Sequence, residues 1–174
     1  SGEVPAGRRA LSPRLSEPAL DKQLFPYSDF SAGVPDQFLR GPVAARVLDN
    51  TPVNNKISDE GATLGRVLFY DRRLSANNSV SCASCHLQQF SFGDTARFSV
   101  GFNGKRTVRH SMAMANSRFG AASYFWDMRA ASLEQQVLMP IQDSIEMGMS
   151  LEVLVPKLQE TRFYPPLFQA AFGT

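Results

Sequence analysis

Apolar residues recur at helical spacing in a few short stretches of this chain, and a strand-like alternation of apolar and polar positions is nearly absent. Ser58-Asp59-Glu60 leads into Leu64, Val67 and Leu68. An N-cap residue, acids in the first turn and apolar side chains on one face predict a helix from Asp59 to Tyr70. Asp71-Arg72-Arg73 and Asn77-Asn78-Ser79 then read as turns, and Val80 to Leu87 as a short helix. Ser132-Leu133-Glu134-Gln135 fits a capping box, so a further helix runs from Leu133 to about Leu138, ahead of Pro140. Ser150 caps another, with Leu151, Leu154, Val155 and Leu158 on one face. Pro156 lies inside it and predicts a kink or break, because its ring removes an amide donor and crowds the preceding turn. Pro165-Pro166 opens a last short helix that Gly173 closes. The predicted class is mainly α, with short helices and long loops.

Two regions lack this periodicity. Residues 1–57 carry Pro5, Pro13, Pro18, Pro26, Pro35, Pro42 and Pro52, a density that interrupts helix and strand alike and predicts an extended N-terminal arm. Leu20, Leu24, Phe25, Phe30, Phe38, Leu39, Val43 and Val47 give that arm apolar side chains with which to wrap on the body, residues 58–174. Its first dozen or so residues read as a disordered end. From Gln88 to Gly120 the chain is rich in Gly, Ser, Asn and Arg and reads as one long loop region, which inside a compact domain usually serves a function.

Composition narrows the classes. At 174 residues and 43% hydrophobic content the chain can bury one or at most two small cores, and no stretch approaches the roughly 18 apolar residues of a membrane span. Its formal charge of +2 gives nucleic-acid binding no support. The chemistry is concentrated in Cys82-Ala83-Ser84-Cys85-His86, which uses both cysteines. C-x-x-C-H is the attachment pattern of c-type haem: two thiols add across porphyrin vinyl groups as thioethers, and the adjacent histidine reaches the iron as an axial ligand. The two cysteines could instead pair as a disulfide, but a histidine directly after the second favours haem. A structural zinc site would need four Cys or His ligands and finds only Cys82, Cys85, His86 and the distant His110. A thioredoxin-like pair would need a βαβ pattern that is missing here. One covalent haem c is therefore the expected cofactor. Haem of this type implies export to an oxidising compartment, and with no signal peptide in view the chain reads as a mature or trimmed form.

Further motifs follow in order: Leu64-Gly65-Arg66-Val67-Leu68-Phe69-Tyr70-Asp71-Arg72-Arg73-Leu74-Ser75, Ser81 to His86, Phe125-Trp126-Asp127-Met128-Arg129, Leu133-Glu134-Gln135-Gln136 with Met139-Pro140-Ile141, and Ile145-Glu146-Met147-Gly148. Together they make residues 58 to about 172 resemble the N-terminal, peroxide-reacting domain of the bacterial di-haem cytochrome c peroxidase and MauG superfamily. The resemblance implies a cytochrome c-like haem domain in the periplasm that reduces hydrogen peroxide. It also implies a second, electron-accepting haem in a C-terminal domain with its own C-x-x-C-H. This chain has one such motif, so the second haem would lie in a C-terminal half outside these residues or on another polypeptide. A c-type cytochrome or a cupredoxin would then be the electron donor, and a homodimer is one assembly left open.

The resemblance also assigns roles. Glu146 would carry the proton between the two oxygens of peroxide; by itself it reads as a solvated surface glutamate. Gln136 and Pro140 would shape the pocket over the iron, against readings as an exposed helical glutamine and a helix stop. Trp126 would bridge the two haems for electron transfer, and taken alone it reads as core packing beside Phe125. Arg129, Arg106 and Arg109 are candidates to pair with haem propionates, with ordinary surface arginines as the rival. Phe102 stands sixteen residues after His86, where members that need reductive activation carry a histidine that caps the resting iron. Phenylalanine cannot ligate iron, so the distal face is expected to be open, as in MauG-like members.

His110 falls near a family position that helps bind calcium, which puts calcium in doubt here. It reads as a replacement at that site, an alternative sixth ligand or, preferred, a histidine hydrogen-bonded within its loop. Met112, Met114, Met128, Met139, Met147 and Met149 keep a different reading open: a mono-haem electron-transfer cytochrome with a methionine sixth ligand.

Overall fold

The computed structural model describes residues 24, 26, 27, 49–119 and 123–173. Among them the chain is mainly helical, with four α-helices, three short 3-10 turns and isolated bridges in place of strands, as the apolar pattern predicts. Most of the expected arm, including its apolar residues other than Leu24, lies outside the described residues; Leu24 is exposed. Residues 49–55 do touch the body. Asp49 pairs with Arg118 at 2.7 Å, the Asn50 amide donates to Arg118 O, and Asn55 Nδ2 donates to Glu134 Oε1 at 2.9 Å.

Helix α1 spans Asp59–Tyr70 and begins as its cap residues dictate, with Ser58 Oγ accepting from the Gly61 amide at 3.0 Å. It buries Thr63, Leu64 and Val67. Its end is set by Asp71, whose amide returns to Leu68 O and whose side chain caps the following turn, Arg72–Leu74. Helix α4, Tyr164–Phe172, lies against α1, so that Leu64, Val67, Phe163 and Tyr164 form one core cluster. Each fully buried side chain of this size contributes about 1.5–3 kcal/mol. Gly173 closes α4 in the left-handed conformation, the role its position predicts.

A second cluster joins Leu74, Ile141, Met147, Met149 and Leu154, with Val80, Cys82, Leu151 and Leu158 packed against it. It draws on helices α2, Leu133–Gln142, and α3, Leu151–Glu160. Helix α2 runs further than expected, and α3 continues through its proline. Pro140 does not stop α2 and Pro156 does not break α3: each lies inside its helix. For α3 the fastening is tertiary, because Leu154 is buried and Lys157 Nζ donates to Arg73 O and Asn78 Oδ1, each at 2.6 Å. In α2 the proline sits in the last turn, so little helix follows the amide donor it removes, and Asp143 N still donates to Met139 O. The cap of α2 differs in detail from a capping box. Ser132 Oγ accepts from the Gln135 amide at 3.1 Å, but Gln135 Oε1 turns back to the Ala131 amide, one residue before the cap. Ser150 makes no side-chain cap bond at α3.

Candidate functional site: a haem-attachment turn beside an acidic pocket

The expected helix over Val80–Leu87 is a single 3-10 turn, Cys82–Ser84. Ser84 Oγ accepts from the Ser81 amide at 3.0 Å, and the Cys85 and His86 amides both return to Cys82 O, which uses up the turn's donors within one revolution. The chain then reverses. Leu87 and Gly93 pair in an antiparallel bridge, and Ser91 and Phe92 between them both adopt positive φ, 56° and 60°. For residues with a Cβ that conformation costs about 1–2 kcal/mol each, so the surroundings must hold it. Its result is visible at His86, whose Nδ1 lies 2.7 Å from Phe92 O. A carbonyl only accepts, so Nδ1 carries the proton and Nε2 keeps the lone pair that a metal needs.

Cys82 and Cys85 are both free and half-buried, three residues apart on this turn. Burial pushes the Cys82 thiol up to about 11 and also raises that of Cys85, so both are neutral thiols at pH 7. Unpaired thiols next to an imidazole with a directed Nε2 lone pair are the donor set that haem c requires, and these residues fit it.

Glu146 is built into a second tight turn. Asp143 Oδ1 accepts from the amides of Ile145 at 2.8 Å and Glu146 at 3.0 Å, and Gly148 N donates to Asp143 O. The loop carrying Phe102 is laced to it: Phe102 N donates to Glu146 O at 3.0 Å and Asn103 Nδ2 to Ser144 O at 3.1 Å. Two glycines make that approach possible. A Cβ on Gly101 would lie 1.6 Å from Ile145 O, and one on Gly148, whose φ is +62°, would lie 2.3 Å from Phe102 Cζ. An open pocket of about 380 Å³ is lined by Arg129, Met139, Pro140, Gln142, Asp143 and Glu146. Burial, and secondarily the charge of Asp143, raises the Glu146 carboxyl above the ordinary glutamate value, while Arg129 opposes the rise. The charge of Glu146 in turn acts on the Cys85 thiol.

Of the residues singled out in the sequence, Glu146, Pro140 and Arg129 therefore share one pocket. Gln136, half-buried, is not in its wall but shares the helix face of Met139 and Pro140 at i+3 and i+4. Trp126 is 61% exposed, which removes the core-packing reading, and its Nε1 donates to His110 O at 3.0 Å. It sits on a turn closed by the Tyr124–Ala130 bridge, with Phe125 and Met128 at positive φ. Asp127 beside it pairs with both Arg109 and Arg129, the latter at 2.8 Å, and the Arg129 guanidinium lies over the Phe125 ring. Those two bonds hold the Asp127 carboxyl down at about 2. Arg106 donates to Phe98 O. His110 Nδ1 lies 3.1 Å from Ala96 O, a bond within its loop. Met147 and Met149 are core residues at 4% and 3% exposure, which leaves Met139 as the methionine of the pocket.

Sequence reasoning missed Asp143, although an Asp three residues before Glu146 is a readable turn signal. It also missed Phe92, whose carbonyl contact depends on a backbone conformation that no residue type announces, and the buried Ser99, which bonds Asp94 at 2.5 Å and Ser111 at 2.8 Å.

A family model described as di-haem cytochrome c peroxidase matches residues 59–174. The chain belongs to that family. Among relatives of this chain, the methylamine utilization protein MauG of Methylorubrum extorquens is 41% identical over 123 residues, which cover 71% of this chain and 35% of that protein. The cytochrome c551 peroxidase of Pseudomonas aeruginosa is 36% identical over 116 residues, 67% of this chain and 33% of its own length. Among solved structures, a MauG-like protein associated with microbial copper homeostasis superposes with a TM-score of 0.66 at 37% identity, covering 72% of this chain and 37% of that one. The di-haem peroxidase BthA of Burkholderia thailandensis gives 0.61 at 27% identity, over 73% of this chain and 36% of its own. This member of the family thus spans about a third of the length of the relatives it matches. Haem c is the cofactor the family implies, and no helix among the described residues is long and apolar enough to cross a membrane.

Proposed function

We propose that residues 58–174 form the peroxide-reducing haem domain of a periplasmic di-haem peroxidase or MauG-like oxidoreductase. The observation that carries this reading is Glu146 in a pocket with Pro140 and Arg129, held by the same turn that receives the Phe102 amide. Cys82 and Cys85 would hold haem c, with His86 Nε2 on the iron. When bound, haem c supplies the redox chemistry that splits the O–O bond of hydrogen peroxide. The protein's part is the proton. Glu146, raised by burial, takes a proton from one peroxide oxygen as carboxylate and returns it to the other, which leaves as water. Pro140 bounds the space in which peroxide sits, with Gln136 one turn before it on the same face of α2, and Phe102 offers no ligand atom to compete with peroxide. Arg129 limits the rise at Glu146 and so serves the pocket as well as its Asp127 partner. Trp126, exposed and tethered to His110 O, suits electron entry from a second haem domain, fed by a c-type cytochrome or a cupredoxin.

The test is the haem-loaded ferric protein. A high-spin spectrum that changes on adding peroxide is expected, and a six-coordinate low-spin spectrum that peroxide leaves unchanged would overturn the reading. Met139 in the pocket wall supports a second one, an electron-transfer cytochrome with methionine as sixth ligand. Its mark would be a methionine-to-iron charge-transfer band that Met139→Ala abolishes.

A further inference from the structure

The bond from His86 Nδ1 to Phe92 O exists because Phe92 and its neighbour Ser91 both hold left-handed backbone without being glycine. Several contacts keep that conformation in place. Phe92 N and Phe90 N both donate to Leu87 O, and Leu87 N donates to Gly93 O, so the turn is closed on itself. Met114 N donates to Ser91 O at 3.2 Å, which ties the turn to the following loop. The Phe92 side chain is held separately. The Phe69 ring on α1 meets it edge to face at 5.8 Å, and Phe69 is itself stacked edge to face on Tyr70 at 5.1 Å. The aromatic contact is the one link between the turn's strained residue and a core helix among these.

We infer that Phe92 is a positioning residue for the proximal ligand: α1, through the Phe69 ring, locks the left-handed turn at Phe92 and so aims its carbonyl at His86 Nδ1. A hydrogen bond accepted from Nδ1 increases electron donation from Nε2 and stabilises the ferric over the ferrous state of an iron bound there. Loosening the Phe69 contact lets the turn relax toward ordinary backbone, which lengthens the Nδ1 bond and weakens that donation. The inference rests on the proposed attachment of haem at His86 and adds to it a specific control of potential.

The experiment uses the haem-loaded protein and compares Phe69→Leu, Phe69→Tyr and Phe92→Ala with the parent. Phe69→Leu removes the ring edge, and Phe92→Ala removes the ring it meets while keeping the Cβ that disfavours φ of 60°. In both, the iron–histidine stretching frequency of the ferrous form should fall. The reduction potential should rise by about 59 mV, equivalent to a tenfold loss of ferric preference for a one-electron couple. Phe69→Tyr keeps the aromatic edge and should restore both values. If either loosened variant loads haem yet keeps the parent frequency and potential, the inference is overturned. A parent protein that loads no haem through Cys82 and Cys85 would instead overturn the proposed function, so the two failures are distinguishable.

Discussion

The Phe102 amide donates to the Glu146 carbonyl at 3.0 Å, and the Phe102 ring lies where a Cβ on Gly148 would have to go. The residue at the position where the resemblance would put a distal histidine and the residue proposed to carry the proton are thereby parts of one folded unit. Phe102 O is held as well, by Asn77 Nδ2 at 2.8 Å. The main chain at Phe102 is therefore fixed from both sides, and only its side chain is free to differ in chemistry.

Replacing Glu146 by Gln keeps the shape of the turn, since Asp143 bonds the Glu146 amide and not its carboxyl. Peroxide reduction should fall by about 10²–10⁴-fold, the usual contribution of a positioned acid–base group, with haem content unchanged. Stopped-flow reduction of peroxide alongside a haem assay reads both. Equal rates in the two proteins would remove Glu146 from the chemistry.

The pH profile follows from the same environment. Glu146 must first accept a proton, so the rate should rise with pH through a midpoint above that of an unshifted glutamate, because burial and Asp143 raise its pKa. Asp143→Asn keeps an oxygen for the Ile145 and Glu146 amides but removes the charge, and should move the midpoint down; Arg129→Gln should move it up. Stability runs in the opposite sense. With its folded pKa raised, Glu146 contributes stability that is present below the unfolded value and lost as pH rises through the folded one. Denaturant midpoints for the parent and Glu146→Gln across that range would reveal it.

The legible parts of the fold were those whose cause is local. Ser58, Ser132 and Gly173 end helices by caps that act within one turn, and Cys82 to His86 declares its cofactor through adjacent residues. What escaped was set from a distance. Pro156 stays helical because Lys157 reaches Arg73 and Asn78, and the haem-motif helix shrinks to one turn because the chain must reverse to pair Leu87 with Gly93. At the site, the glutamate was readable only through family motifs, since a Glu on a loop announces nothing by itself. The raised pKa of that glutamate comes from burial, which depends on the whole assembly of α2, the Phe102 loop and the Trp126 turn.

Introducing a ligand at position 102 tests where that loop points. With the main chain fixed by Glu146 O and Asn77 Nδ2, Phe102→His exchanges a phenyl for an imidazole with little backbone change. The ferric haem protein should turn from high to low spin, and its reaction with peroxide should slow until the iron is reduced. A spectrum identical to the parent would mean that the side chain at 102 does not face the iron.

Tyr164 offers a test of the scaffold that leaves the pocket alone. Its ring is fully buried, and its hydroxyl donates to Asp71 Oδ2 at 2.7 Å, joining α4 to the residue that ends α1. Burial and the neighbouring Asp71 raise the phenol far above its ordinary range, so it remains a donor at every pH the fold tolerates. Asp71 also accepts from Arg73, at 2.9 Å through the amide and 3.1 Å through Nη1. Tyr164→Phe therefore strips one of several bonds from a buried carboxylate and should cost about 1–3 kcal/mol. For a chain of 174 residues that corresponds to a fall of about 2–4 °C in Tm per kcal/mol. Below its melting temperature the variant should reduce peroxide at the parent rate, because none of the pocket residues touches the Tyr164–Asp71 bond. A loss of activity without a loss of stability would show that the α1–α4 joint positions the haem turn as well as holding the core.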